Sequence, residues 1–265
     1  MNPQRTFTIA TRRALLTHLV NIAREAGSVI MQHYATHTTA RQKADNSPVT
    51  AADEAAEELI LRHLGELEPS IPVIAEERTA AGALPNISAG TFFLVDPLDG
   101  TKEFLSHNGE FTVNIALIEN GQPTAGVVFA PAIDRMFWGS DNAAFEQTIA
   151  IGHIGKIETR PAPAQGLVAI ASRSHRDSST EDFLARFQIE QVVSAGSSLK
   201  FCLIAAGEAD IYPRLGRTME WDTAAGDAIL RAAGGRVTHL DGTTPMTYGN
   251  TADAFANPHF VAWGR

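Results

Sequence analysis

Phe92-Phe93-Leu94-Val95-Asp96-Pro97-Leu98-Asp99-Gly100-Thr101-Lys102-Glu103-Phe104 is the stretch whose reading decides the fold. An unbroken apolar run, 92–95, predicts a buried strand, and Pro97 with Gly100 predicts a turn presenting two carboxylates at the end of that strand. A hard cation such as Mg²⁺ prefers oxygen ligands of this kind, and Pro97 directs the chain so that the Leu98 carbonyl faces the same point. An aspartate-rich turn can also do no more than cap a strand, and the motif alone leaves both readings standing.

Two segments farther out carry matching groups. Val73-Ile74-Ala75-Glu76-Glu77 ends another strand in adjacent carboxylates, and Trp221-Asp222-Thr223-Ala224-Ala225-Gly226 opens a helix with an aspartate. Each has a plain structural reading: Glu77 as a solvated edge charge, Asp222 as a helix cap, Asp53 as the capping partner of Thr50. Strand ends and helix starts are nonetheless where functional groups converge in layered α/β folds, and helix N-termini attract phosphate.

Around these motifs the chain divides into two textures. Leu15, Leu19, Ile22, Ala26, Val29 and Ile30 recur at helical spacing and predict an amphipathic helix over 11–34, with Gly27 permitting close helix packing. A polar loop at 43–47 leads to a second helix that starts at Thr50, with Asp53 in a capping box and Ile60 and Leu64 facing inward. Strands are expected at 72–75, 92–96, 112–119 and 126–130, with Asn120-Gly121 as a hairpin turn. From 166 onward, strands at 167–171, 209–212, 236–239 and 260–263 alternate with helices at 180–187, 198–206 and 223–233. The first half reads as α+β and the second as α/β, joined across 152–165. Two tightly joined subdomains are expected: 1–155 with most of the ligand candidates, and 156–265 with Asp222 and the substrate contacts.

Composition narrows the function. The 265 residues are 44% hydrophobic, and 30 acidic against 21 basic residues leave a net charge of -9. That charge opposes a nucleic-acid polymer as partner, and a small phosphorylated substrate requires a cation that cancels it locally. No stretch approaches the ~20 apolar residues of a membrane span. The single Cys202 lies in an apolar run and excludes a disulfide framework, so a soluble, cytoplasmic protein is expected. His33 and His37 have i, i+4 spacing but no accompanying HExxH pattern, and no Gly-x-Ser-x-Gly elbow or P-loop is present. The aspartyl-phosphate phosphatases of the haloacid dehalogenase class are set aside because one residue separates their two aspartates and here two intervene.

Taken in order, Asp53, Glu76-Glu77, Asp96-Pro97-Leu98-Asp99-Gly100-Thr101 and Trp221-Asp222-Thr223-Ala224-Ala225-Gly226 resemble the signature of the lithium-sensitive inositol monophosphatase superfamily, over nearly the whole chain. Lys102-Glu103-Phe104, Gly109-Glu110-Phe111-Thr112-Val113-Asn114-Ile115-Ala116, Ser172-Arg173-Ser174-His175 and Gly196-Ser197-Ser198-Leu199-Lys200-Phe201-Cys202 resemble a bacterial branch that hydrolyses 3′(2′),5′-bisphosphate nucleotides. The resemblance implies a layered αβαβα sandwich like that of inositol monophosphatases and fructose-bisphosphatases. It implies two or three Mg²⁺ per active site, one held by Glu76, Asp96 and the Leu98 carbonyl, another by Asp96, Asp99 and Asp222. Glu77 matches the non-ligand position of its pair, and the sequence leaves a swap with Glu76 open. Thr101 and Asp53 match the pair that orients and deprotonates the attacking water.

The same resemblance implies a small nucleotide bisphosphate as substrate, adenosine 3′,5′-bisphosphate or the sulfated 3′-phosphoadenylyl sulfate, in sulfur assimilation or nucleotide recycling. Gly196, Ser197 and Ser198 precede a helix and can present N–H groups to it, while Lys200, Arg173 and Arg214 are candidates for the second phosphate. Gly100 joins the ligand carboxylates and Thr101 as an expected substrate contact. One departure is the 139–145 segment, where a glycine-rich turn between strands is expected. Inositol monophosphatase is the rival activity, since fold does not settle substrate. A nucleotide-sensing protein without turnover is the non-enzymatic rival. A homodimer and a peripheral association with the cytoplasmic side of the inner membrane stay open.

Overall fold

In the computed structural model, which describes residues 7–36, 39–43, 48–172 and 178–265, the apolar spacing near the start becomes helix α1 (Ile9–Tyr34), capped by Thr8 with Thr11. Its stripe of Leu15, Leu19, Ile22, Ala26 and Ile30 is buried. Gly27 lies in that stripe against a strand rather than another helix: a Cβ there would meet the Phe129 ring at 2.3 Å. The close helix packing expected at Gly27 is thus an approach of α1 to the sheet. A small hairpin that was not expected, β1 (Arg41–Gln42) and β2 (Pro48–Val49), flanks the polar loop expected at 43–47, of which 44–47 lie outside the described residues. Helix α2 (Ala51–Leu67) then starts at the predicted Thr50–Asp53 capping box.

Seven strands form the first sheet in sequence order: β3 (Val73–Ala75), β4 (Thr91–Asp99), β5 (Thr112–Glu119), β6 (Gln122–Ala130), β7 (Arg135–Ser140), β8 (Ala143–Thr148) and β9 (His153–Ile157). Short helices α3 (Glu76–Ala80) and α4 (Thr101–Leu105) follow β3 and β4. Only β3 and β4 pair in parallel. Of the last three strands, β7 and β8 flank the turn expected at 139–145 but had no predicted bounds, and β9 was not anticipated, because their polar residues hide the alternation. Their hairpin needs no glycine at its tip: Asp141 and Asn142 themselves adopt φ 47° and 63° between β7 and β8. Gly139 lies inside β7.

The second sheet runs β11 (Ile189–Ala195), β10 (Leu167–Ser172), β12 (Ile211–Arg214), β14 (Phe260–Trp263), β13 (Arg236–His239), with the first three parallel and the rest antiparallel. Strand β11 was not anticipated. Helices α5 (Ser178–Leu184), α6 (Leu199–Ala205) and α7 (Glu220–Ala232) complete the chain.

Alternation along β4 sets the layers, because successive side chains point to opposite faces. Phe93 and Val95 pack with α1 and α2, whereas Phe92 and Leu94 share a core with Phe201, Cys202, Ala225 and Ile229 of α6 and α7. That same core reaches Ile170, Tyr212 and Phe260 of the second sheet, and Phe183 and Leu184 of α5 cover its far face at Ala169, Ile211 and Val261. The order is helices, sheet, helices, sheet, helix: the αβαβα arrangement. Each large side chain so buried contributes about 1.5–3 kcal/mol before entropy is counted. Gly126 lets α7 lie directly on β6, since a Cβ there would meet the Ala225 carbonyl oxygen at 2.5 Å. This close approach fixes the start of α7, and so Asp222, relative to the end of β4. Cys202 is a buried free thiol, pushed up by burial, as a core residue should be. No helix among the described residues is long and apolar enough to cross a membrane.

Candidate active site

Strand β4 is paired with β5 up to Asp96 opposite Asn114 and again at Asp99 opposite Thr112, with an irregularity between them. Pro97, which has no N–H to offer a ladder, lies in that irregularity. Asp96 Oδ1 accepts from Leu98 N–H at 3.0 Å, which clamps the turn and keeps both carboxylates at one strand end. Gly100 follows with φ 91°, a left-handed conformation that suits glycine, and a Cβ there would meet Ser197 Oγ at 2.2 Å. Ser197 Oγ shares its proton between the carbonyls of Asp99 and Glu110, at 2.8 and 2.7 Å. The 196–198 turn is thereby locked onto the end of β4.

Asp53 does more than cap α2. Its Oδ2 accepts from Thr50 N–H and Oγ1 at 2.8 and 2.6 Å, and its Oδ1 accepts from Thr101 Oγ1 at 3.1 Å. Burial raises the pKa of Asp53, the hydrogen bonds from Thr50 and Thr101 pull against that rise, and the nearby Glu76 charge adds to it. The hydroxyl proton of Thr101 therefore points at the carboxylate, and the oxygen's lone pairs are left for another donor.

Asp222 also has two roles. Its Oδ2 accepts from Met219 N–H at 2.8 Å, completing the start of α7, while its charge couples to Asp99 and Glu76. Ser198 Oγ lies 3.1 Å from Asp99 Oδ2, within hydrogen-bonding reach of the Asp222 carbonyl, and accepts from Asn114 Nδ2 at 2.9 Å. A cavity of about 260 Å³ is lined by Glu76, Asp99, Gly100, Thr101, Gly196, Ser197, Lys200, Arg214 and Asp222 among others. Asp53 and Ser198, outside this lining, reach it through Thr101 and Asp99, and Asp96 and Leu98 precede Asp99 on β4.

Three carboxylates at this point cannot all be charged without penalty. Burial raises Asp96 well above the usual range, with Glu76, Asp99 and Asp222 adding repulsion. Burial likewise raises Asp222 well above that range, and Asp99 to about 6 with Lys200 and Ser198 opposing the rise. Among the described residues no group of three or more His, Cys, Asp or Glu side chains is arranged to hold a metal ion. Each carboxylate instead turns one oxygen to a neighbouring donor. The donor set nonetheless fits Mg²⁺: it is all oxygen, it runs from the buried Asp96 to the half-buried Glu76, Asp99 and Asp222, and its mutual repulsion is of the kind a hard divalent cation relieves.

The basic candidates are placed differently from one another. Lys200 is 6% exposed and donates to the Ser197 carbonyl at 2.6 Å, and burial lowers its pKa to about 8. Arg214 is 8% exposed, donates from Nη2 to the Arg217 carbonyl at 3.1 Å, and has a buried Nε with no hydrogen-bond partner among the described residues. Gly196 N–H is engaged by Glu110 Oε2 at 2.8 Å, so it is not the donor the sequence suggested for a phosphate. Arg173, with Ser174 and His175, lies outside the described residues.

Glu77 is not a solvated edge charge. Its side chain is 13% exposed, burial pushes it up to about 7, and its carboxylate lies 2.7 Å from Lys43 Nζ. Lys43 Nζ is also 2.5 Å from Glu76 Oε1. Sequence reading passed over Lys43 as part of a polar loop; the one available signal was a lone lysine just ahead of the capping box. Glu57, buried on α2, was also missed: it accepts from the N–H groups of Glu77 and Arg78 at 2.7 and 3.0 Å and so fixes the start of α3.

The chain as a whole is similar to known proteins of one family. Residues 11–262 match the profile of the inositol monophosphatase family. The chain is 44% identical over 248 residues to the 3′(2′),5′-bisphosphate nucleotidase CysQ of Salmonella typhimurium, covering 93% of this chain and 98% of that one. It is 43% identical over 248 residues to the enzyme of that name from Escherichia coli K12, with the same coverage of 93% and 98%. Among solved structures, CysQ from Bacteroides thetaiotaomicron, described as a bacterial member of the inositol monophosphatase family, superposes with a TM-score of 0.78 at 35% identity, covering 95% of this chain and 97% of that one.

Proposed function

This chain belongs to the inositol monophosphatase family, and from that premise we propose that it is a Mg²⁺-dependent 3′(2′),5′-bisphosphate nucleotidase. It converts adenosine 3′,5′-bisphosphate to AMP and phosphate, and 3′-phosphoadenylyl sulfate to adenylyl sulfate by the same chemistry. The observation that carries this reading is one cavity lined both by the half-buried carboxylates Glu76, Asp99 and Asp222 and by the buried cations Lys200 and Arg214. A substrate with one phosphate needs the carboxylate wall alone, whereas a second phosphate needs its own cationic partners. The Nε of Arg214, without a hydrogen-bond partner among the described residues, is a buried donor that an anion would satisfy.

Glu76, Asp96, Asp99, Asp222 and the Leu98 carbonyl are the groups that would hold Mg²⁺. When bound, the cation supplies the positive charge that neutralises the phosphate and makes water more acidic. The chain's own residues do the rest. Thr101 Oγ1 gives its proton to Asp53 Oδ1 and takes one from the attacking water, so the pair moves a proton away from the nucleophile. Water oxygen bonds to phosphorus as the bond from phosphorus to the ribose 3′ oxygen breaks, and the ribose oxygen leaves with a proton from solvent. No covalent enzyme intermediate is needed.

Phosphate release from adenosine 3′,5′-bisphosphate and from inositol monophosphate, measured side by side with Mg²⁺ and with EDTA, tests the reading. Faster release from the nucleotide, abolished by EDTA, is expected. A preference for inositol monophosphate would remove the nucleotidase assignment and leave the carboxylate site standing. No release from either would favour a binding protein.

A further inference from the structure

Helix α7 opens at Met219, whose side chain makes no capping hydrogen bond, so its first turn is held from outside by the segment 249–257. Glu220, 1% exposed, accepts from the N–H groups of Gly249 and Asn250 at 2.6 and 2.8 Å, and its own N–H donates to the Phe255 carbonyl at 2.8 Å. Asn257 then lies across the helix start. Its N–H donates to the Thr218 carbonyl at 2.9 Å, and its Nδ2 lies 2.7 Å from the Met219 carbonyl oxygen, 3.0 Å from Thr218 Oγ1 and 3.1 Å from Thr223 Oγ1. Thr218, Asp222 and Thr223 line the cavity, whereas Asn257 is not among its lining residues. The turn that delivers Asn257 is strained: Ala254 and Phe255, two successive residues with a Cβ, have φ 50° and 63°. Such a conformation persists only where its surroundings over-determine it, and here Phe255 is buried beside Trp221, with ring centroids 6.2 Å apart.

We infer that Asn257 is a positioning residue that fixes residues 218–223 from behind the cavity wall and holds Asp222 toward Asp99, so that it sets the affinity of the site for a divalent cation. The inference rests on the reading of Asp222 as a metal ligand. Asp222 belongs to the first turn of its helix, where the backbone frays unless its polar groups are held. A carboxylate that samples several positions must be ordered when a cation binds, and that ordering is subtracted from the affinity. Asn257 removes this cost through Met219: the amide holds the Met219 carbonyl, while the Met219 N–H holds Asp222 Oδ2 at 2.8 Å. Ser198 Oγ, between Asp99 and the Asp222 carbonyl, steadies the same residue from the other side. A neutral amide also supplies donors without adding a negative charge to a cluster whose carboxylates already repel one another.

Calorimetric titration of EDTA-treated full-length protein with Mg²⁺ and with Mn²⁺ tests this without reference to turnover. Asn257→Ala should bind either ion about ten- to a hundredfold more weakly than the natural protein. The Mg²⁺ concentration for half-maximal phosphate release should rise by the same factor, with the rate at saturating Mg²⁺ near the natural one. Asp227→Asn loosens the same helix farther along, where Arg231 and Tyr248 hold Asp227, and should lower Tm without moving the affinity. Unchanged affinity in Asn257→Ala overturns the inference. An equal loss of affinity in Asp227→Asn also overturns it, because stability alone would then account for both. Should Asn257→Ala fail to fold, Glu220→Gln takes its place: it removes one of the two acceptors that hold residues 249 and 250 and leaves Asn257 itself intact. A folded Glu220→Gln with natural affinity overturns the inference. Absence of any cation binding by the natural protein would remove the reading of Asp222 as a ligand, and the inference with it. Binding that is indifferent to Asn257 removes the inference alone.

Discussion

Asp53→Asn separates catalysis from architecture at a single atom. In the natural protein Oδ2 accepts from Thr50 at 2.8 and 2.6 Å, and Oδ1 accepts from Thr101 at 3.1 Å. Asparagine can keep its oxygen toward Thr50, which preserves the capping box, and must then turn its NH₂ toward Thr101. The Thr101 hydroxyl becomes an acceptor and its proton swings outward, toward the water it should be deprotonating. Every contact survives in number, but one reverses direction. The stability change is the difference between charge-assisted and neutral hydrogen bonds, partly offset by no longer burying a charge, and should stay under about 1 kcal/mol. For a chain of this size that is a fall in Tm of about 2–4 °C. The rate should fall by the full contribution of a positioned base, about 10²–10⁴-fold in kcat. Phosphate release under saturating Mg²⁺ and substrate, beside a thermal melt of the same preparation, gives both numbers. Thr101→Ser should stay within about tenfold of the natural rate, and Thr101→Val should match Asp53→Asn. A folded Asp53→Asn that keeps more than about a tenth of the natural kcat would show that the pair is structural and that the proton leaves by another route.

Asp96→Asn should abolish turnover because the buried turn at the end of β4 has no second group in its place, and Asp222→Asn should be nearly as severe; each is read as phosphate release from protein whose melt is unchanged. Glu77→Gln should be mild beside Glu76→Gln, and the reverse order would mean that the ligand of the pair was misassigned. Li⁺ should inhibit in a way that added substrate does not relieve, as the resemblance implies, and indifference to it would weaken the placement of a labile cation at Asp96, Asp99 and Asp222. Lys200→Ala and Arg214→Gln should lower kcat/KM for adenosine 3′,5′-bisphosphate more than for adenosine 2′-monophosphate; equal losses would place both side chains in folding or in the metal centre instead. Gly126→Val should destabilise by about 1–3 kcal/mol, since it forces α7 off β6 and carries Asp222 with it, and an unchanged melt would contradict the contact with Ala225.

Local grammar was sufficient for the parts of this protein whose determinants lie within a few residues of one another. The Thr50–Asp53 capping box, the Asn120-Gly121 hairpin, the strand running into Asp96 and the start of a helix near Asp222 all follow from spacing and turn chemistry, and all were legible in the sequence. The candidate carboxylates stood out for the same reason, since each ends a strand or opens a helix, whereas their roles as metal ligands are implied only by the family resemblance. What tertiary structure alone decided is which of those ends meet. Lys43 reaches Glu76 across 33 residues, Glu110 engages Gly196 across 86, and Ser198 bridges Asp99 and Asp222 across 99 and 24. No periodicity encodes such pairs, because they depend on the order of strands in two sheets and on the close seating of α7 on β6. That seating also decided the chemical state of the groups: the same aspartate is an ordinary acid on an exposed turn, and is pushed far up the pH scale when burial and three other carboxylates surround it, as at Asp96.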